Sequence, residues 1–596
     1  GRNQRSRDLD GRRNLTQLVP LHAPALLGFF REVLDSSLIE RGAVQGLDLL
    51  GPSGEFWKNV LMGDLKRMAE GGNSDAQAEL AWRHAVGEGA TKSHAQAVRW
   101  SSRSAETGCA AGEAVLGWLI YHGLGLPRDY DEAARLFKRA ADKGQPLATD
   151  LLARCFFFGR GASEDRAAAA RLWRIAAETG VASAMFCLGL CLYAGEGLTA
   201  DRTEAVSWFR AAARERIAGA MFLLGQCYTF GMGVARDQAA GIGWYRRAAK
   251  QGNREAAFEL GEVYASGGTD PGCDMEEALR FWRLAARQGH GRANLKVGHC
   301  YRWGDGVSEN KSMAVAWYRR AAEMGDAQGY VWLGECYEHG EGVPQDFARA
   351  IEHYRVAADA GDAHGQAELG RCHLNGIGLP ADPGYAEKLL RVAAERGWQP
   401  ALGELERYWF SEGERHFHGG SPARAIACYR KAGELGHRQA ALILGECYRH
   451  GMGVARDLAQ AVLWYRKAAS LFDAKIALAD MYYFGWGVAR NYREALRWYE
   501  QAVAQHDDAY AMYSVGFCLL HGHGTRRDAR AGMRWLRKAA IMGEADAQYE
   551  LGCAYYWGSG STQSMRLAIK WLRAADSLGH ERACGFLERM ERGGSL

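Results

Sequence analysis

The chain of 596 residues repeats itself every 36 residues, as from Leu188 to Leu224 and again to Leu260. The segments LGQCYTFGMGVARDQAAGIGWYRRAAKQG from Leu224, LGECYEHGEGVPQDFARAIEHYRVAADAG from Leu333 and LGECYRHGMGVARDLAQAVLWYRKAASLF from Leu444 superimpose nearly letter for letter. One copy of that length packs on its neighbours and not on a core of its own. Self-similarity at this period therefore predicts stacked helix pairs, an all-α solenoid. A hydrophobic fraction of 48% with 75 glycines and 11 prolines suits helices joined by glycine turns and excludes a disordered chain. Lys and Arg (74) nearly balance Asp and Glu (70), so a net charge of +4 selects neither nucleic acid nor an acidic membrane surface. No apolar run reaches the length of a membrane-spanning helix. The N-terminus, GRNQRSRDLDGRRN, is polar and lacks an initiating Met, so a trimmed targeting segment is left open.

Each conserved column of the repeat has a physical job. Leu333, Gly334 and Tyr337 share one face of a first helix: Leu and Tyr fill the seam, and Gly admits the partner helix closely. Trp317, Tyr318, Ala321 and Ala322 play the matching part on a second helix, large residues filling the core and small ones setting the approach. Gly340 and Gly342 end the first helix, and Val343 seals the turn. Asp346, with Asp129, Asp201, Asp237, Asp457 and Asp528, precedes the second helix as an N-cap. Eight of the fourteen cysteines (Cys155, Cys191, Cys227, Cys300, Cys336, Cys372, Cys447, Cys518) form one column. Equivalent positions of stacked helices lie roughly 10 Å apart, beyond disulfide reach, so these are expected to be buried thiols in a reducing compartment, the cytoplasm.

Read by the Leu-Gly column, residues 1–74 form a leading tail and helical cap, built from LVPLHAPALLGFF and EFWKNVLMGDLKRMAE. Residues 75–399 hold nine repeats, 400–437 a divergent repeat, 438–580 four more, and 581–596 a C-terminal tail. The stretch ERYWFSEGERHFHGGSP loses both the Leu-Gly and the Gly-x-Gly columns, which makes Pro400 to Gly420 a candidate hinge.

The pattern Ala-x-x-x-Leu-Gly-x-x-Tyr-x-x-Gly-x-Gly-Val-x-x-Asp, then Ala-x-x-Trp-Tyr-x-x-Ala-Ala-x-x-Gly, resembles the Sel1-like repeat (SLR), a relative of the tetratricopeptide repeat. The likeness spans about Asp75 to His580. It implies a right-handed superhelix of about fourteen antiparallel helix pairs serving as a scaffold or adaptor. A secreted branch of the family bridges two cysteines within each repeat, and the single column cysteine here departs from it.

Candidate chemistry reduces to structure. His416 and His418 with Glu414 point to different helix faces and have no second ligand cluster, so no metal is expected. His521 and His523 fall in a turn whose other copies hold His122, His339 and His450. The Gly-x-Gly turns follow helices, and Lys92-Ser93 and Lys311-Ser312 lack the Gly directly before Lys that a phosphate loop needs. Glu276 and Glu277 suit a helix start. Trp244, Tyr245, Arg246 and Arg247 could suggest stacking on RNA, but the aromatics belong to core columns and Glu500 replaces a base in another copy, so a solvated face is expected. No nucleophile with a base and an orienting group stands out, and neither an enzyme nor a cofactor is expected.

By analogy with tetratricopeptide arrays, the positions two before, two after and five after the column Leu point into the concave groove. Early in the chain these are Phe186, Tyr193, Phe222, Thr229 and Phe258. Late in the chain they are Ile476, Asp480, Tyr483, Tyr513, Phe517, Tyr549 and Tyr556. Between lie Leu295, His299, Arg302, Val331, Glu335, Glu338, Arg371 and Leu374. The expected function is a non-enzymatic scaffold binding one or more proteins along that face, with aromatic anchors for affinity and charges for register. The alternatives are a structural subunit of a large assembly, or an enzyme with an unrecognised groove site.

Overall fold

A computed structural model describes residues 60–267 and 273–591, and among them are thirty helices and no strand. One helix, Met62–Glu70, precedes fourteen consecutive helix pairs, from Ser74–Val86 with His94–Glu106 to Ala545–Trp557 with Met565–Ser577. A last helix, Glu581–Glu591, follows them. Of the two leading helices expected from sequence, residues 18–30 lie outside the described residues. The second is represented by Met62–Glu70, which buries Leu65 and Ala69 on the first pair.

The fifth repeat shows how the letters make the fold. Its first helix, Ala218–Phe230, stops at Gly231, whose φ of 73° is left-handed and whose N–H donates to the Cys227 carbonyl. Gly233, also left-handed, presses on the preceding repeat: a Cβ there would lie 2.2 Å from the Arg202 carbonyl oxygen. Asp237 then accepts from the Ala240 N–H at 2.9 Å and starts the second helix, Gln238–Lys250. The pair closes where Gly225 meets the buried Tyr245, whose ring would stand 2.4 Å from an added Cβ. The same seam holds Trp173, Tyr318, Tyr354, Tyr429 and Tyr465 among the largest fully buried side chains. The eight column cysteines are buried beside it, and all fourteen cysteines are thiols without a disulfide.

The chain divides into two compact units between Gln345 and Asp346, inside the eighth repeat. The first unit contains Met62–Glu70, seven helix pairs and the first helix of the eighth repeat, Ala327–His339. The second begins with Phe347–Asp359, continues through six pairs and ends with Glu581–Glu591.

Two elements differ from the sequence reading. The tenth repeat keeps its seam glycine: Gly413 faces Tyr429, whose ring would lie 2.5 Å from an added Cβ, while Glu412 stands where other copies have Leu. Loss of that Leu hid the column. Its first helix, Pro400–His418, is 19 residues long and reaches Pro422–Leu435 through Gly419 and Gly420 without a Gly-x-Gly turn. At the other end, Glu581–Glu591 is a helix that packs on the fourteenth repeat through Ala583 and Phe586.

Candidate protein-interaction site

In the fourth to sixth repeats the groove positions are occupied by the fold itself. Phe186 is 1% exposed and packs on Phe209, with ring centroids 6.1 Å apart. Phe222 packs on Tyr245, and Phe258 stacks at 4.3 Å on His290, which caps the next repeat's first helix. Tyr193 donates its hydroxyl hydrogen to Met232 Sδ at 2.9 Å, also across a repeat junction. All four, with Thr229, are buried and offer no surface to a partner. The physical reason is that this face is covered twice, by the second-helix aromatic of the same repeat at Phe209 and Tyr245 and by residues from the next repeat's side at Met232 and His290.

The charged middle is likewise spent within the chain. Arg302 pairs with Glu335 at 3.0 Å and Glu341 at 2.8 Å, and Lys311 shares Glu341 at 3.2 Å. The Arg302 guanidinium also lies over the Trp303 and Trp332 rings. Burial would raise the Glu341 carboxyl, but Arg302 and Lys311 hold it below the usual carboxylate range. His299 Nδ1 is 2.9 Å from the Tyr318 hydroxyl, and burial, helped by Lys296 and Arg302, keeps the ring neutral. Glu338 is buried, and its carbonyl accepts from Gln345 Nε2 at 2.8 Å. Arg371 donates from Nε to Glu368 at 2.7 Å. Burial disfavours the Glu368 carboxylate, yet His364 and Arg371 outweigh it and bring its pKa to about 2. Leu295, Val331 and Leu374 are core. Arg302 and Lys311 thus tie one repeat to the next, while Arg371 and His364 pair with Glu368 inside one helix; these charges are not an open register for a ligand.

The late aromatics are only half-buried. Tyr483 shares a 2.9 Å hydrogen bond between its hydroxyl and His523 Nδ1, and burial pushes its pKa up to about 12. Tyr513 packs at a tilt between Tyr510 and Phe517, while Ile476 and Phe517 stay partly open. Asp480 is buried and accepts from Tyr499 and Tyr510 at 2.7 and 3.0 Å; burial raises its pKa, against the pull of those two hydroxyls. Tyr549 stacks on His580 at 4.4 Å, and both Tyr549 and Tyr556 have edges against Phe586 of the last helix. The terminal helix thus covers part of what the sequence reading left to a partner.

Beside these tyrosines the structure exposes residues that the groove rule misses. Phe484 is 46% exposed, Trp486 38% and Trp557 60%, and Phe417 and Met452 are comparably open. All five stand at the end of a first helix or within the turn after it. Phe484 stacks on Trp486 at 4.6 Å, and the Arg449 guanidinium lies 5.5 Å from the Trp486 ring. The turn histidines join the same edge: His523 stacks on Tyr492 at 4.7 Å and His521 lies 4.4 Å from Phe517. A signal was present in the letters. The residue between the two turn glycines is acidic at Glu88, Glu196, Asp305 and Glu341 and apolar at Leu124, Met232, Ile377 and Met452, but a tryptophan stands there only at Trp486.

Titratable clusters elsewhere stay small. His418 Nε2 is 3.7 Å from Glu414, and among the described residues no three His, Cys, Asp or Glu side chains converge as a metal site. Among the described residues no helix is long and apolar enough to cross a membrane.

The Sel1 repeat model matches this chain fourteen times, at residues 74–109, 110–145, 146–181, 182–216, 218–253, 254–290, 291–326, 327–362, 363–398, 401–437, 438–471, 472–507, 509–544 and 545–580. Among solved structures, the chain is similar to c5321, a protective antigen of uropathogenic Escherichia coli strains displaying an SLR fold. The two are 29% identical over 82% of this chain and 97% of that one, with a TM-score of 0.49. A Sel1 repeat protein from Oxalobacter formigenes is 25% identical over 47% of this chain and 96% of its own, with a TM-score of 0.33. Immunity protein Pa5087 from Pseudomonas aeruginosa is 18% identical over 36% and 83%, with a TM-score of 0.26. No curated protein matches this chain.

Proposed function

The chain belongs to the Sel1 repeat family, and from that premise we propose that it is a non-enzymatic scaffold that holds a protein partner along the turn edge and first-helix face of its second unit. The observation that carries the reading is the exposure of Phe484 and Trp557 at the ends of their first helices and of Trp486 in the turn beside Phe484. Large aromatics left in water on a folded chain favour association, because covering them releases ordered water and they lose little freedom on binding. Tyr483 and Tyr513, half-buried on the adjoining helices, extend the surface inward. Arg449, held over Trp486, adds a charge beside the apolar contact.

The test is affinity purification from the native cell, with mass spectrometry, of the unaltered chain against Trp486→Ala/Trp557→Ala. Anchors of this kind cost about 2 kcal/mol each on truncation, roughly thirtyfold in affinity. The double variant should keep its helicity and lose the same partners that the unaltered chain retains. An unchanged set of partners would sink the proposal. We further propose a reducing compartment, such as the cytoplasm, because the column carries one cysteine per repeat and stacked copies stand beyond the reach of a disulfide.

A further inference from the structure

A second surface recurs in the first unit, on the second helices. In the fourth, fifth and sixth repeats, Arg210, Arg246 and Arg283 each follow the seam aromatic, and each donates from Nη2 to the tyrosine hydroxyl of the next repeat's first helix: Tyr228, Tyr264 and Tyr301. Each guanidinium also lies over that tyrosine's ring, 5.4 to 5.9 Å from its centroid. The arginines are thereby held in fixed places without neutralisation, and none of the three has a carboxylate partner among the described residues. The same bond joins Arg430 to Tyr448, Arg466 to Tyr482 and Arg537 to Tyr555 in the second unit, but there it does not run through three successive repeats. Arg174, one repeat before Arg210, is paired with Glu204 at 2.7 Å. In the second unit the run is interrupted where Glu500 follows Tyr499. On the helix of Arg246, Arg247, folded over Trp244, and Lys250 add further positive charge.

We propose that this face binds an extended acidic protein segment, with a carboxylate at about every third residue meeting Arg210, Arg246 and Arg283 in turn. The spacing follows from geometry. Stacked helices repeat at about 10 Å, and an extended segment in the polyproline II form advances about 3.1 Å per residue with three residues per turn, so every third side chain returns to the same face and meets one repeat. The chemistry follows from the donors: one Nη is spent on tyrosine, leaving the rest of a planar fork that suits a carboxylate. A polynucleotide fits less well. Asp201, Asp237 and Asp274 cap the starts of these same helices, where they would repel an unbroken line of phosphates but leave gaps for spaced acids.

The proposal takes the scaffold role as its premise but uses none of the second unit's residues, so the two can fail separately. The probe is a fluorescein-labelled peptide of about twelve residues with Glu at every third position, titrated by anisotropy at low salt into the full chain. Its controls are an isomer with the same Glu residues clustered, and a twelve-nucleotide oligouridine. Periodic peptide should bind more tightly than clustered peptide, weaken as salt rises, and lose about tenfold in affinity to Arg210→Gln/Arg246→Gln/Arg283→Gln. The companion variant Tyr228→Phe/Tyr264→Phe/Tyr301→Phe disturbs the same junctions but keeps the charges, so it should stay within about threefold of the unaltered chain. Arg246→Gln alone should weaken binding should the triple arginine variant fail to fold. Absence of binding, equal binding of the two peptides, or tighter binding of oligouridine would each overturn the proposal. So would retention of affinity by the arginine variants, whatever happens to the Trp486→Ala/Trp557→Ala variant.

Discussion

Gly225 and Gly243 stand on the two helices of one repeat, yet an added methyl group should act on them with opposite sign. At Gly225 the new Cβ would lie 2.4 Å from the Tyr245 ring, and the buried ring has nowhere to go. Gly225→Ala should therefore lower stability by about 1–3 kcal/mol. Gly243 sits inside a second helix with nothing within 4 Å of a Cβ, so Gly243→Ala should raise stability by about 0.5–1 kcal/mol through the restricted unfolded chain and better helix propensity. Urea unfolding of both variants checks the pair. A third residue gives a pH signature. Burial, with Glu262 and Glu255 pushing the same way and Arg292 against, raises Glu259 to about 7. Between pH 4.5 and 7 the folded state holds a proton that the unfolded chain has lost, so stability contributed by this group falls as pH rises through that window. Glu259→Gln should raise the melting temperature at pH 8 and change it little at pH 5. At this scale the Leu and Gly columns of the seam were legible because each has one use, whereas first-helix tyrosines such as Tyr228 also bond an arginine of the preceding repeat. The groove was not, because Phe186 and Phe258 look the same in the letters whether the next repeat or a partner covers them.

Among whole elements, Pro400–His418 and Glu581–Glu591 are the departures from the common pattern. Pro400–His418 buries Ala401, Leu405 and Gly413 in 19 residues, whereas Arg438–His450 buries twice as many in 13. Its backbone hydrogen bonds should open more easily, and amide exchange should be faster across Pro400–His418 than across Arg438–His450. Equal protection of the two would remove the case for a hinge there. Glu581–Glu591 caps the array through Phe586, which is 6% exposed. Phe586→Ala should cost about 3–5 kcal/mol locally. Because each repeat leans only on its neighbours, the loss should appear as faster exchange in Ala545–Trp557 and leave Arg438–His450 unchanged. The sequence reading left this helix outside the array because a single capping helix has no second copy to repeat against.

Across the whole molecule, the fourteen copies could be read in advance because every copy meets the same stacking demand. The surfaces could not, since no column of a repeat records where the stacking stops and water begins. The cysteines offer a check on the array as a whole. Ten are buried, Cys109 and Cys553 are intermediate, and Cys273 and Cys584 are exposed. In the native state a thiol reagent should label Cys273 and Cys584 quickly, Cys109 and Cys553 slowly, and the remainder only after denaturation. Native disulfides within the column would contradict the seam geometry. The contact of Gly233 with Arg202 carries a consequence for ancestry. Excising Ala182–Ile217 would set Gly233 against Arg166, the same residue type at the same place, and would offer Tyr228 Arg174 where Arg210 had been. Both junctions would survive the loss of a whole copy, and neither would survive the loss of half of one. Unequal recombination between copies can thus lengthen or shorten the chain in whole steps while every intermediate still folds, so the number of repeats is itself a trait that inheritance can vary.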